Sequence, residues 1–119
     1  DKENNCYYIE NVTFAGERWN LCQFEFYKDT LALVGFGLLS DNEDVVDLYN
    51  RNLENVKTKY SEIEGKMTSD NQNRKLCYFD DGIVVLSIGY KIEEGNHGCL
   101  IYQSKKLINQ MHEDAYNNI

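Results

Sequence analysis

The residues of this chain with the widest choice of chemistry are its four cysteines, Cys6, Cys22, Cys77 and Cys99. Their spacings of 16, 55 and 22 residues do not contain the close C-x-x-C pairs typical of zinc sites. Each cysteine lies in or beside a segment that alternates apolar and polar residues. This pattern favours two structural disulfides, with metal binding and buried free thiols as the alternatives.

Three disulfide pairings are possible, and the sequence does not choose among them. Cys6–Cys22 with Cys77–Cys99 is slightly preferred, because each bond would then close one half of the chain. Oxidised cysteines indicate an exported protein, located in the periplasm, at the cell surface or outside the cell.

Catalytic groups form no recognisable motif in this sequence. His97 and His112 lack the spaced partners of a zinc site, and a carboxylate pair such as Glu25 with Asp80 has almost no specificity for glycosidase chemistry. Nucleophile-elbow, P-loop and dinucleotide fingerprints are missing from the sequence. We therefore predict a protein that is not an enzyme and needs neither cofactor nor metal. The alternative is a small hydrolase that uses carboxylates and His97.

The net charge of −8 disfavours nucleic acid as a partner, because an acidic surface repels phosphates. The sequence contains no apolar run that would predict a transmembrane segment. We predict a protein or envelope component as the partner, while the oligomeric state is left open. In a sharper form of this hypothesis, acidic loops at Asp80-Asp81 or Glu93-Glu94 block the basic cleft of an enzyme, as an inhibitor or immunity protein would.

Tyrosines are the other candidate binding residues, because their rings bury much area at low entropic cost. Several tyrosines are expected on a sheet face that the helices leave uncovered. The candidate binding residues are Tyr27, Asp80, Asp81, Tyr90, Glu93, Glu94 and Tyr102. A third possibility is a structural piece of a larger assembly, which would have an unpaired strand edge or form a stable oligomer.

Alternating segments predict β-strands over residues 7–13, 19–27, 31–36, 76–79, 83–90 and 99–103. The capping-box form of Ser40 to Glu43 predicts a helix start, and Gly65 predicts its end. The apolar stripe of this helix consists of Val45, Tyr49, Leu53, Val56, Tyr60 and Ile63. Residues 66–74 are predicted as a loop, and Ser104 as the cap of a last helix.

These elements predict an α+β fold of two layers. A mostly antiparallel sheet of five or six strands packs against one long helix, from about Asn42 to Glu64, with a short C-terminal helix. Residues 1–119 are predicted to form a single domain, with residues 1–5 and 117–119 flexible. The predicted core consists of Phe24, Phe26, Leu33, Val45, Tyr49, Leu53, Val56, Tyr60, Val84, Leu86 and Ile101.

The order of segments resembles small exported lipoprotein-type domains of unknown function from Bacteroides-like bacteria. The resemblance rests on the segments 14–16, 24–29, 78–86 and 101–107 and on the helix that ends at Tyr60. More remotely, the pattern is similar to modules of beta-lactamase inhibitor proteins and of small outer-membrane assembly lipoproteins. The resemblance implies an envelope location and a binding role. A lipid anchor in the precursor is left open, because no lipobox is visible and Cys6 is not the first residue. It implies no functional residue.

Overall fold

The computed structural model of the protein describes residues 4–41 and 44–117. Within these residues it consists of one antiparallel sheet and two helices. The elements are β1 (Asn4–Phe14), β2 (Glu17–Tyr27), β3 (Thr30–Leu39), α1 (Val45–Lys59), β4 (Lys66–Asn71), β5 (Arg74–Asp80), β6 (Val84–Ile92), β7 (Asn96–Ser104) and α2 (Lys105–Asn117).

The seven strands lie in the order β1-β2-β3-β7-β6-β5-β4, so the last strand along the chain is the central one. Two-residue turns connect β1 to β2 at Ala15-Gly16 and β2 to β3 at Lys28-Asp29. All four turn residues have positive φ, at 55°, 77°, 48° and 64°. Such turns match the right-handed twist of the strands they join and therefore fix the register of both hairpins.

The predicted fold class is wrong in its proportions. The sheet has seven strands rather than five or six, and the helix that packs on it has 15 residues rather than about 23. The protein is therefore mostly β, and α1 packs mainly on β6 and β7. The predicted loop at residues 66–74 is in fact β4, a turn and the start of β5. The polar sequence of this segment does not indicate a strand, because β4 is an edge strand with mostly exposed side chains.

Helix α1 begins later than the capping box predicts. Asp44 is the N-cap, and its Oδ1 accepts hydrogen bonds from the amides of Val46 at 3.0 Å and Asp47 at 3.1 Å. The backbone amide of Ser40 instead donates to the carbonyl of Asn96. Two of the predicted helix residues, 42 and 43, lie outside the described residues.

The sheet face on which α1 packs is called the helix face, and the opposite one, which α2 contacts at Tyr27, is called the open face. The pairing Cys77–Ile88–Leu100–Phe36 runs across four strands of the helix face. Gly98 lies beneath α1, where a Cβ atom would come within 2.9 Å of Leu48 Cδ2. Close contact between helix and sheet therefore depends on the missing side chain.

The core agrees with the prediction along α1 and differs in the sheet. Val45, Tyr49, Val56 and Leu86 are buried as predicted, whereas the other predicted core residues are only partly buried. The prediction missed Trp19, Leu48, Phe79, Ile88 and Leu100, all of which are at most 2% exposed.

Trp19 enters the core because the side-chain alternation of β2 reverses near its start. Leu21, two residues along, is 36% exposed, whereas Trp19 is buried with its ring centroid 5.8 Å from that of Phe36. The reversal lies beside Asn11 of β1, whose φ is 55°. On the same hairpin, Glu17 accepts two hydrogen bonds from Arg51 of α1, at 2.8 and 3.0 Å. The hairpin tip is thus fixed to the helix.

Helix α2 begins as predicted, with the Ser104 hydroxyl accepting a hydrogen bond from the amide of Leu107 at 3.3 Å. Near its other end, Asp114 accepts a hydrogen bond from the Tyr27 hydroxyl and forms an ion pair with Lys28 at 3.1 Å. None of its residues is fully buried. Two interactions therefore hold this helix in place: the side-chain bonds at the β2–β3 turn and the partial burial of its own residues.

Candidate functional site

The predicted acidic residues of the β5–β6 connection organise their own turn. Asp80 Oδ1 accepts from the amide of Gly82 at 2.8 Å, and its Oδ2 lies 2.7 Å from Lys105 Nζ. The Lys105 bond, followed by the Gly82 bond, holds the pKa of Asp80 below its ordinary value. Asp81 Oδ1 accepts from the amides of Val84 and Ile83, and these bonds lower the pKa of Asp81. Both carboxylates thus have a local structural task.

The second predicted acidic loop, Glu93-Glu94, lies at the other end of β6. Eight residue steps of about 3.3 Å separate the two ends of this strand, or about 26 Å. Both glutamates are exposed, and Glu93 forms an ion pair with Lys91 at 3.6 Å. The structure therefore does not bring the two acidic loops into one site.

The three predicted tyrosines are packing residues. Tyr27 and Tyr90 are 4% and 6% exposed, and Tyr102 is half-buried. Tyr90 and Tyr102 lie on the helix face, so the expectation of an uncovered face is wrong for them. Tyr90 packs edge-on against Tyr49 with ring centroids 5.4 Å apart, and burial raises the pKa of Tyr102. Their role in binding stays a prediction.

The predicted disulfides are not formed, because all four thiols are free. Cys22 and Cys77 point to the helix face, whereas Cys6 and Cys99 point to the open face. Two of the three pairings would therefore have to pass through the sheet. The third would join Cys6 to Cys99 across three strand spacings, about 14 Å, and Cys22 to Cys77 across four, about 19 Å. A disulfide requires Cα atoms within about 7 Å.

His97 is exposed at the start of β7. The nearby carboxylate Asp41 is also exposed: a Cβ atom on Gly95 would lie 3.6 Å from Asp41 Oδ1 and 4.0 Å from His97 Nε2. The arrangement lacks the buried acid that would hold an imidazole in one orientation. No group of three or more potential metal ligands occurs within residues 4–41 and 44–117.

The outer edge of β1 is the feature of the fold best suited to interaction. β1 is the first strand of the sheet order, and among the described strands only β2 pairs with it. It is 11 residues long, and Tyr7, Tyr8 and Ile9 are 57%, 58% and 51% exposed. Its described residues contain no proline or lysine, and Glu10 is the one charged side chain among them. Long, apolar and unguarded edges of this kind are templates for strand pairing.

The opposite edge of the sheet is guarded. β4 has six residues, which include Lys66 and Asp70, and its pairing with β5 is irregular between Met67 and Ser69. Short length, charge and a bulge are the devices that prevent an edge from pairing with another chain. The contrast makes β1 the exposed edge at which pairing is possible.

The register of the sheet identifies the β1 amides that face outward. Tyr27 and Thr30 flank the two-residue turn between β2 and β3, so they form a hydrogen-bonded pair. Because strand residues alternate in direction, Phe24 and Phe26 of β2 turn their backbone groups toward β1, where Tyr7 and Asn5 oppose them. The backbone groups of Cys6 and Tyr8 consequently face away from β2.

An aromatic patch lies beside this edge on the helix face, outside the area that α1 covers. It consists of Tyr7, Ile9, Phe24 and Phe26, with Tyr7 and Phe26 packed edge-on at a centroid distance of 5.8 Å. A shallow depression of about 510 Å³ is lined by Asn5, Tyr7, Phe24, Phe26 and Asp29. An alternating strand added to β1 would place every second side chain against this patch.

The open face of the same edge is acidic. Cys6, Tyr8 and Glu10 of β1 point to it, and Glu25 of β2 lies opposite Cys6. Glu10 is exposed and Glu25 half-buried. The nearby cation Lys28 already pairs with Asp114. The edge therefore has an apolar side and a negatively charged side.

Sequence reasoning did not single out this edge as a candidate site. The signal was present, since residues 5–10 combine two tyrosines and an isoleucine with a single charge. What the sequence does not show is that β1 lies at the end of the sheet, and this position decides whether its backbone is paired.

Neither α1 nor α2 is long and apolar enough to cross a membrane, and the described residues contain no other helix. Comparison with family models, with curated proteins and with solved structures found no match for the chain. The resemblance to exported lipoprotein-type domains therefore stays a prediction.

Proposed function

We propose that this protein is a non-catalytic binding module that captures an extended segment of another protein along the outer edge of β1. The observation that supports the proposal most directly is the exposed 11-residue edge strand with the aromatic patch beside it. Strand addition gains affinity from main-chain hydrogen bonds and specificity from alternate side chains. The amides of Cys6 and Tyr8 would supply such bonds.

The export predicted from the cysteines is not part of this proposal, because the four thiols are free. A periplasmic, surface or secreted location stays a prediction that rests on the resemblance alone. The Asp80-Asp81 loop also contributes little, since both carboxylates already bond within their turn. The inhibitor or immunity form of the hypothesis would therefore have to use β1 or the exposed Glu93-Glu94 loop.

A selection from a library of random ten-residue peptides tests the proposal. Peptides that bind the chain are measured against the variant Tyr8→Pro, which removes an outward amide but no bond to β2. Tyr8→Thr is the matched control, because it removes the ring and keeps the amide. We expect Tyr8→Pro to weaken binding about fivefold more than Tyr8→Thr does, since each net main-chain hydrogen bond contributes about 1 kcal/mol.

Circular dichroism and urea unfolding show whether both variants keep the fold. Selected peptides that bind Tyr8→Pro and Tyr8→Thr equally well would contradict strand addition. If Tyr8→Pro does not fold, the test uses peptides N-methylated on alternate amides instead of this variant. The N-methyl groups prevent the same main-chain hydrogen bonds with β1, but the change is made in the peptide.

The same edge also favours a second candidate function, a structural piece of a larger assembly. In that case the β1 edges of two copies would pair with each other. Analytical ultracentrifugation distinguishes the two, because edge-to-edge assembly predicts a dimer that Tyr8→Pro dissociates. If the protein stays monomeric at high concentration, the β1 edge does not pair with itself and is available to another protein.

A further inference from the structure

The charge distribution at the β1 edge specifies the chemistry of its partner. This step rests on the proposed function and deepens it. We infer that the partner segment is a strand of about six residues in which basic side chains alternate with apolar ones. The apolar residues would contact the aromatic patch, and the basic residues would lie on the open face beside Glu10 and Glu25.

The apolar half of this inference follows from the pairing geometry. A strand added to β1 would form hydrogen-bonded pairs with Cys6 and Tyr8, whose backbone groups face outward. Tyr7 and Ile9 would then occupy non-hydrogen-bonded pairs, in which side chains approach most closely. Aromatic and β-branched side chains oppose each other favourably in such pairs, at about 0.2–1 kcal/mol each. Val or Ile in the partner suits both positions.

The basic half follows from the residues on the open face. A partner side chain opposite Cys6 or Tyr8 would point to the same face as Glu10 and Glu25. Lys28 at the adjacent turn is engaged by Asp114, so it does not neutralise these carboxylates. The whole chain adds a net charge of −8, which speeds the approach of a basic segment and opposes that of an acidic one.

The same charges argue against a second copy as the occupant. Two β1 edges centred on Tyr8 would place Glu10 of one copy opposite Cys6 of the other. Glu25 of that second copy would lie one strand further on the same face, at about 10 Å. This arrangement twice places two glutamates about 10 Å apart, which is about one Debye length, and joins two chains that each carry −8. A basic partner replaces both repulsions with attractions.

The inference is tested with an end-blocked, fluorescently labelled hexapeptide, Lys-Val-Lys-Val-Lys-Val, by fluorescence anisotropy at about 50 mM and about 300 mM salt. Three peptides are its controls: one with Glu for Lys, one with the same residues in two blocks, and one with alternate amides N-methylated. We expect the alternating basic peptide to bind at low salt and weaken at high salt. The acidic, block and N-methylated peptides should each bind at least about tenfold more weakly, which corresponds to about 1.4 kcal/mol.

On the protein side, the double variant Glu10→Gln with Glu25→Gln removes the two carboxylates. Glu93→Gln with Glu94→Gln is the matched control, because it changes the net charge equally at a turn of β6, four strands from β1. Rim ion pairs contribute about 0.2–1 kcal/mol each, so the first variant should lose about two- to thirtyfold in affinity. The second should lose less than about twofold, because its charges are screened at that distance.

The outcomes separate the inference from the proposed function. Equal binding of the acidic and basic peptides, or equal losses in the two double variants, would overturn the basic partner and leave strand addition standing. Full binding by the N-methylated peptide would overturn strand addition itself. A dimer that Tyr8→Pro dissociates would show that a second copy occupies the edge, and failure of every hexapeptide to bind would likewise overturn the basic partner.

Discussion

At the scale of single residues, the cysteines show how strongly position in the sheet constrains their chemistry. Cys22 and Cys77 are 3% and 4% exposed on the helix face, and Cys99 is half-buried on the open face. Burial raises the pKa of all three thiols, which keeps them protonated and unreactive near neutral pH. Cys6 is exposed on β1, so a reagent in solution can reach its thiol.

This arrangement predicts a stepwise thiol titration. In the native protein, Ellman's reagent should react rapidly with one thiol, that of Cys6, and only slowly with the other three, since their reaction requires local opening. All four should react after denaturation without a reductant. Cys6→Ser is the control, and it should remove the rapid phase alone. Fewer than four reactive thiols in the denatured protein would contradict the structure and restore the disulfide hypothesis.

Gly65 shows a different kind of constraint on single residues. A Cβ atom at this position would lie 2.7 Å from Phe79 Cζ and 2.8 Å from Cys77 Sγ, closer than van der Waals contact permits. The sequence predicts that this glycine ends α1. The helix actually ends at Lys59, with Tyr60 as its C-cap, and Gly65 instead makes room for the core.

At the scale of elements, sequence patterns predicted the features that depend on contacts between residues close in sequence. The stripe of α1 from Val45 to Val56 and the Ser104 cap depend on residues close in sequence, and the structure contains both. The start of α1 was misplaced because Ser40 and Asp44 both suit an N-cap. The carbonyl of Asn96, distant in sequence, engages the backbone of Ser40.

Elements determined by distant contacts were not predictable in the same way. β4 has a polar sequence and is a strand because β5 pairs with it. The candidate edge of β1 depends on the strand order, which no local pattern specifies. The sequence therefore predicted most strands of the fold, while the candidate site required the topology.

The bonds that attach α2 to the β2–β3 turn predict a contribution to stability that acid removes. The bonds from Tyr27 and then Lys28 hold the pKa of Asp114 below its ordinary value of 3.8. A carboxyl whose pKa is lower in the folded state than in the unfolded state stabilises the folded protein at any pH above its unfolded pKa. This stabilisation is lost as the pH falls through the pKa of the folded state. Asp114→Asn should therefore lower stability at pH 7, and the difference from the unchanged chain should disappear at low pH.

Urea unfolding followed by circular dichroism at about pH 7 and about pH 2.5 measures this difference. Glu113→Gln is the control, because it removes one negative charge from the adjacent exposed position of α2. An equal effect of Asp114→Asn at both pH values would contradict the predicted linkage.

At the scale of the whole molecule, β7 holds the two halves of the sheet together. β1, β2 and β3 form one set of consecutive hairpins, and β4, β5 and β6 form another. β7 lies between β3 and β6 and pairs with both. Its Leu100 is 2% exposed in the middle of the helix face.

Leu100→Ala should therefore lower the free energy of unfolding by about 2–5 kcal/mol, as expected for a large-to-small change in a core. Leu39→Ala is the control, because Leu39 is 56% exposed and its loss should cost about 0.5 kcal/mol or less. Urea titration measures both. A small effect at Leu100 would mean that the two half-sheets are stable without tight packing at their junction.

The position of β7 also has a consequence for folding during synthesis. On the ribosome, β3 and β6 both emerge before the strand that separates them, so each half-sheet first exists with its inner edge bare. Leu33 of β3 pairs with Gln103 of β7, which is synthesised 70 residues later. Until then, β3 is paired only with β2. Meanwhile β3 offers an apolar run, Leu31 to Phe36, to any other nascent chain. We expect the yield of folded protein to depend on how quickly translation delivers β7 or on a chaperone that shields β3 until then.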